Sequence, residues 1–187
     1  MSILKFLGLE GKASPAARSV AETETIRKIT EELDQLEPDK ARYVAKFAYI
    51  LSRVASADMH VSTEETRKME RIVTEVGGLP EEQAVIVVHM AKTRNLVFGG
   101  TENFLVTREF NRIATREQKL ALLHCLFAVS AAEGHISNVE DNEIRQISKE
   151  LQLEHREYIA VRLHYRDHLA VLKDLPTAGP ADRGEKQ

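Results

Sequence analysis

Shifted by 75 residues, the chain falls into register with itself. The stretch Ala57 to Glu65 lies over Ala132 to Glu140 with four of nine positions identical, and Asp58/Glu133 and Val61/Ile136 are conservative pairs. The match extends outward through Leu51/Leu126, Val54/Val129, Ile72/Ile147 and Glu75/Glu150. Repetition at a fixed offset constrains architecture more than any single motif does, because each copy must be one supersecondary unit. Here the unit reads as helix–connector–helix, and two copies are expected to pack around a pseudo-two-fold axis.

Apolar periodicity gives the helices. Val44, Phe47, Ala48, Leu51, Val54 and Ala55 share one face of a helix over 41–57. A second helix is expected over 62–76, with Met69, Ile72, Val73 and Val76 inward and Gly77-Gly78 as its stop. Pro80 suits the first turn of a third, ending near Arg94. Further helices are expected over 102–114, 116–133, 137–151 and 155–172, and an earlier one runs from the capping box of Ser19 and Glu22 to Leu36. No segment carries a strand pattern. The expected fold is therefore all-α, a compact bundle of about seven helices formed by the two repeats. Its domain spans 21–173, after an apolar peptide and linker over 1–20 and before a polar, disordered tail over 174–187.

Composition excludes several classes. Formal net charge is -3, from 26 basic and 29 acidic residues, so no concentrated positive surface for nucleic acid is expected. A single cysteine rules out an intramolecular disulfide and suits a reducing, cytoplasmic setting; Cys125 sits in an apolar run and reads as core. That run, Leu120 to Ala132, has 13 residues, short of the ~20 a membrane span needs. Lys5 and Glu10 interrupt the N-terminal apolar stretch, so no secretory signal is read there.

The connectors carry the chemistry. Ala-Ala-Asp/Glu-Gly-x-hydrophobic-Ser-x-x-Glu between two helices resembles the signature of the TerB-like (tellurite resistance) family. The same module stands at the front of a membrane-anchored DnaJ-type co-chaperone. The resemblance covers about Arg42 to Leu172. It implies an all-α fold of about seven helices with an acidic, cation-binding centre, and a link to tellurite resistance and stress response. One departure is Met59, where the family has glycine, whereas Gly134 fits. No His-Pro-Asp tripeptide is present, so the chain carries no J-domain.

Asp58, Glu65, Glu133 and Glu140 are the candidate metal ligands, since four converging carboxylates suit a hard divalent cation such as Ca²⁺, Mg²⁺ or Mn²⁺. Against this, Ser62 with Glu65 and Ser137 with Glu140 each fit a Ser-x-x-Glu capping box. Asp58 and Glu133 are less readily explained, because an acid at a helix C-terminus opposes the helix dipole. A calcium EF-hand is excluded: counting twelve positions from Asp58 and Glu133 leads to Met69 and Ile144, not glutamate. His60 and His135 in the connectors, and His164 with His168 four apart, are weaker candidates for a transition metal, with backbone-bonded or solvated histidines as the plainer reading.

No nucleophile–base arrangement or phosphate-binding glycine loop is found, so a non-enzymatic protein is expected. The leading expectation is an accessory stress-response protein: a helical binding module with an acidic centre and a protein partner. The rival is a metal-free interaction or co-chaperone-like domain. It would dock a partner, or weakly contact a membrane surface, through Ile3, Leu4, Phe6, Leu7 and Leu9. A fold-back of that peptide onto the domain's own core is the alternative to both forms of docking.

Overall fold

The computed structural model describes residues 4–7, 24–55, 63–92, 103–132 and 134–170. Its helices are α1 (Leu4–Leu7), α2 (Glu24–Asp34), α3 (Pro38–Leu51), α4 (Thr63–Glu75), α5 (Glu81–Lys92), α6 (Asn103–Ile113), α7 (Arg116–Ala131), α8 (Asn138–Glu150) and α9 (His155–His164), followed by a 3₁₀ turn at Arg166–His168. The all-α expectation holds, and among the described residues there is no strand. The only sheet-like pairing there is an isolated parallel bridge between Ile136 and Leu169.

α3 is the hub. Pro38 sets its first turn, and Ala41, Val44, Ala45, Phe47, Ala48, Ile50 and Leu51 are buried around most of its circumference. It packs on α1, α2, α5, α6 and α7. Tyr43, Phe47 and Phe110 form an aromatic cluster with ring centres 5.3–6.4 Å apart, which joins α3 to α6. α7 is the second core helix, with Leu122, Leu123, Cys125, Leu126, Phe127 and Val129 buried. α4 and α8 are amphipathic outer helices of equal length, and α8 begins and ends 75 residues after α4.

α1 docks on α3, and Phe6 and Leu7 are buried in the common core. Ile3, Leu9 and the linker, like the tail over 174–187, lie outside the described residues. No helix among the described residues is long and apolar enough to cross a membrane.

The last helix is shorter than its periodicity predicts. α9 stops at His164, and Tyr165 leaves helical geometry (φ -105°, ψ 16°). The chain then turns to pair with the second connector: the Ile136 N–H donates to the His168 carbonyl at 2.7 Å, and the Ala170 N–H donates to the Ile136 carbonyl at 3.0 Å. The helix predicted to Leu172 gives way to this tertiary pairing, and His164 and His168 are not on one helical face.

Two buried features carry a cost. A Cβ on Gly77 would sit 2.5 Å from the Val73 carbonyl oxygen and 3.1 Å from the Phe47 ring, so Gly77→Ala is expected to destabilise by about 1–3 kcal/mol, read as a fall in thermal midpoint. Lys46 is 3% exposed and, among the described residues, has no hydrogen-bond or ion-pair partner. Burial lowers its pKa, which Glu109 only partly offsets. The folded state therefore binds fewer protons than the unfolded one as pH approaches 10.5, so its penalty is full at neutral pH and fades above it. Lys46→Met should raise the melting temperature at pH 7, with the gain shrinking toward pH 10; a loss at pH 7 would refute the assignment.

Candidate functional site

The second connector's cap is built as its sequence requires. Ser137 is the N-cap of α8; its hydroxyl accepts from the Glu140 N–H at 3.2 Å, and the Ser137 N–H donates to Glu140 Oε2 at 2.8 Å. The Ser137 hydroxyl also donates to that same oxygen at 2.6 Å. Capping thus engages Oε2 of Glu140, and Oε1 makes no hydrogen bond or ion pair among the described residues. Gly134 takes the left-handed conformation, with φ +100°. Glu65 is exposed in the first turn of α4. Asp58 and Glu133, together with Met59, His60 and the Ser62 cap, lie outside the described residues. Within those residues, no three His, Cys, Asp or Glu side chains gather into a metal-holding group.

The helices flanking the two connectors interlock. From α4, the helix after the first connector, Lys68 donates its ammonium to the Ala132 carbonyl at the C-terminus of α7. A cation there complements the helix dipole. In the other direction α8, the helix after the second connector, receives Arg53 from the end of α3. The Arg53 side chain is 2% exposed; its Nε donates to Glu143 at 2.8 Å and its Nη1 to Glu150 at 2.6 Å. Nη1 also donates to the Thr107 hydroxyl at 2.7 Å, and Thr107 in turn donates to the Asn103 carbonyl at 3.0 Å. Tyr49 completes the chain by donating to Asn103 Oδ1 at 2.9 Å. The Arg53 guanidinium thereby ties the end of α3 to both α6 and α8. Under the 75-residue shift Lys68 corresponds to Glu143, so the two cross-unit contacts use opposite charges at matching places.

Sequence reasoning missed Arg53. A signal existed on the partner side, because Glu143 and Glu150 are seven apart and so lie on one face of α8. Nothing local linked them to an arginine some 90 residues earlier. A second pin joins α8 to α9: Asp141 accepts from Arg162 Nη2 at 2.7 Å and from the Tyr158 hydroxyl at 2.9 Å.

Burial disfavours the charged forms at both pins, but the partners outweigh it. Burial alone would lower the Arg53 pKa, yet Glu150 and Glu143 raise it. Burial alone would raise Glu150 and Asp141, yet Arg53 and Arg162 hold them below the usual carboxylate range. Cys125, wholly buried, is pushed up to about 12 and stays a thiol.

An open groove of about 750 Å³ runs past Tyr43, Gly78, Leu79, Ile113 and Glu117. Its guanidinium, Arg42, is already paired with Asp39 at 3.1 Å, so it offers no converging set of reactive groups.

The pins make two predictions. Arg53→Met leaves the buried Glu150 and the part-exposed Glu143 without their cation and should cost about 3–5 kcal/mol, read by denaturant unfolding; a near-neutral result would show the cluster to be dispensable. Because Glu150 and Asp141 have depressed folded pKa values, their contribution is present above the usual carboxylate range. It is lost as pH falls through the folded values. Stability should therefore drop from about pH 5 downward, and Glu150→Gln should flatten that slope.

A family model described as Tellurite resistance protein TerB matches residues 44–163, from within α3 to the last turn of α9. No curated protein and no solved structure matches.

Proposed function

The chain belongs to the TerB family, and from that footing we propose that it is a non-enzymatic accessory protein of a tellurite- or metal-ion-stress response. It acts as a helical binding module whose working face is the pair of acidic connectors. One observation carries the reading. Lys68 of α4 reaches the end of α7, and Arg53 at the end of α3 reaches α8, so the helix after each connector is fastened to the helix before the other. Each connector flanked in this way carries an acid in its sequence, Asp58 or Glu133. A hard divalent cation, Ca²⁺, Mg²⁺ or Mn²⁺, is the ligand such oxygens select. Asp58 and Glu133 are its principal ligands, with Glu65 and the open Oε1 of Glu140 as supplementary ones. A cytoplasmic setting is in keeping with one buried, protonated thiol.

Docking a partner or membrane through the N-terminal peptide is less favoured. Phe6 and Leu7 would have to leave the core, at about 1.5–3 kcal/mol for each large apolar side chain.

The test is the melting temperature of metal-stripped protein with Ca²⁺, Mg²⁺ or Mn²⁺ added separately. An ion that binds only the folded state must raise it. A rise with one of the three, abolished in the Asp58→Ala/Glu133→Ala double variant, is expected. A flat response to all three removes the cation from the proposal and leaves the acidic face to a protein partner.

A further inference from the structure

We infer that His124 of α7 and His164 of α9 form a two-imidazole clip for a borderline transition-metal ion of the Zn²⁺, Ni²⁺ or Cu²⁺ class. The two residues are 40 apart in sequence, and packing of α9 on α7 brings their ring centres to 6.0 Å, with planes at 77°. Imidazoles that share one ion can have ring centres no further apart than about 6.4 Å, given N–metal bonds of about 2.1 Å. The pair stands inside that limit. Among the described residues neither ring makes a hydrogen bond or an ion pair, so its nitrogens are open to a ligand. His164 is exposed and can turn about its side-chain torsions to direct a nitrogen at the shared point.

The frame around the pair is fixed. The Tyr165 hydroxyl donates to the His124 carbonyl at 3.1 Å, and the Tyr165 ring stacks on Phe127 at 5.5 Å and 11°. The end of α9 is thereby held to the middle of α7, which spares an incoming ion much of the cost of bringing the ligands together. Two protein ligands leave the remaining positions to water, so the site is open to exchange and differs in chemistry from an all-oxygen centre.

The test uses the full chain, tag-free and metal-stripped, titrated with NiCl₂, ZnCl₂ and CuCl₂ in separate calorimetric runs. One ion per chain is expected for at least one metal, together with a raised melting temperature as the ion ties α7 to α9. His164→Gln and His124→Gln should each weaken binding by at least about tenfold. His168→Gln should not, and neither should the Asp58→Ala/Glu133→Ala double variant, so this site and the acidic connectors fail or survive independently. His124 is partly buried; if its variant misfolds, exposed His164→Gln decides alone. No stoichiometric binding of any of the three metals, or binding unchanged in His164→Gln, overturns the inference.

Discussion

An arginine with 2% of its side chain exposed must be answered by nearby charge, and much of this fold is arranged around that requirement. A buried guanidinium without carboxylates would cost several kcal/mol. Arg53 therefore fixes where α8 lies: Glu143 and Glu150, two turns apart, must both face the end of α3. Thr107 and Asn103 extend the same demand to α6. α8, itself mostly polar, buries Ile144 and Ile147 in the core, while these bonds and the Asp141–Arg162 pair on α9 fix its position. Apolar packing of α3 and α7 supplies the bulk of the driving force, while the ion pairs supply the register.

The helices were legible because their faces repeat at the period of a helix and their ends carry local chemistry. Ser137 and Glu140 form the cap their spacing implies. Thr115 with Gln118 forms another, readable from the same rule but not read. What local pattern cannot encode is long-range pairing. Arg53 finds its partners across 90 and 97 residues, and the bridge of Ile136 to Leu169 ends α9 before its periodicity does. The fate of the N-terminal peptide was open for a related reason: five apolar residues around a lysine suit a groove, a membrane or the domain's own core. Burial of Phe6 and Leu7 is decided by the shape of α3 and its neighbours. Of the four candidate carboxylates, Glu65 and Glu140 each follow a local capping rule, and the described residues show that rule fixing one oxygen of Glu140. Asp58 and Glu133 depend on how two distant connectors meet, which no single segment specifies.

The repeat is preserved in the lengths of α4 and α8 and broken in their charges. Lys68 and Glu143 occupy matching places yet answer opposite partners: a helix C-terminus in one case, a buried guanidinium in the other. The two contacts are therefore not interchangeable, since a swap of Lys68 and Glu143 would set like charge against like.

The pairing of Ile136 with the segment that ends in Ala170 has a consequence for the order of synthesis. The Ile136 N–H and carbonyl are satisfied by residues some 30 positions later in the chain. On the ribosome, α3 to α7 emerge and can begin to pack first, because a chain folds from its N-terminal side as it is made. The second acidic connector cannot take its final form until the last described residues have left the exit tunnel. Closure of this pairing is thus coupled to completion of the domain, and a nascent chain cut short would present the core with the Ile136 backbone groups still unpaired by it.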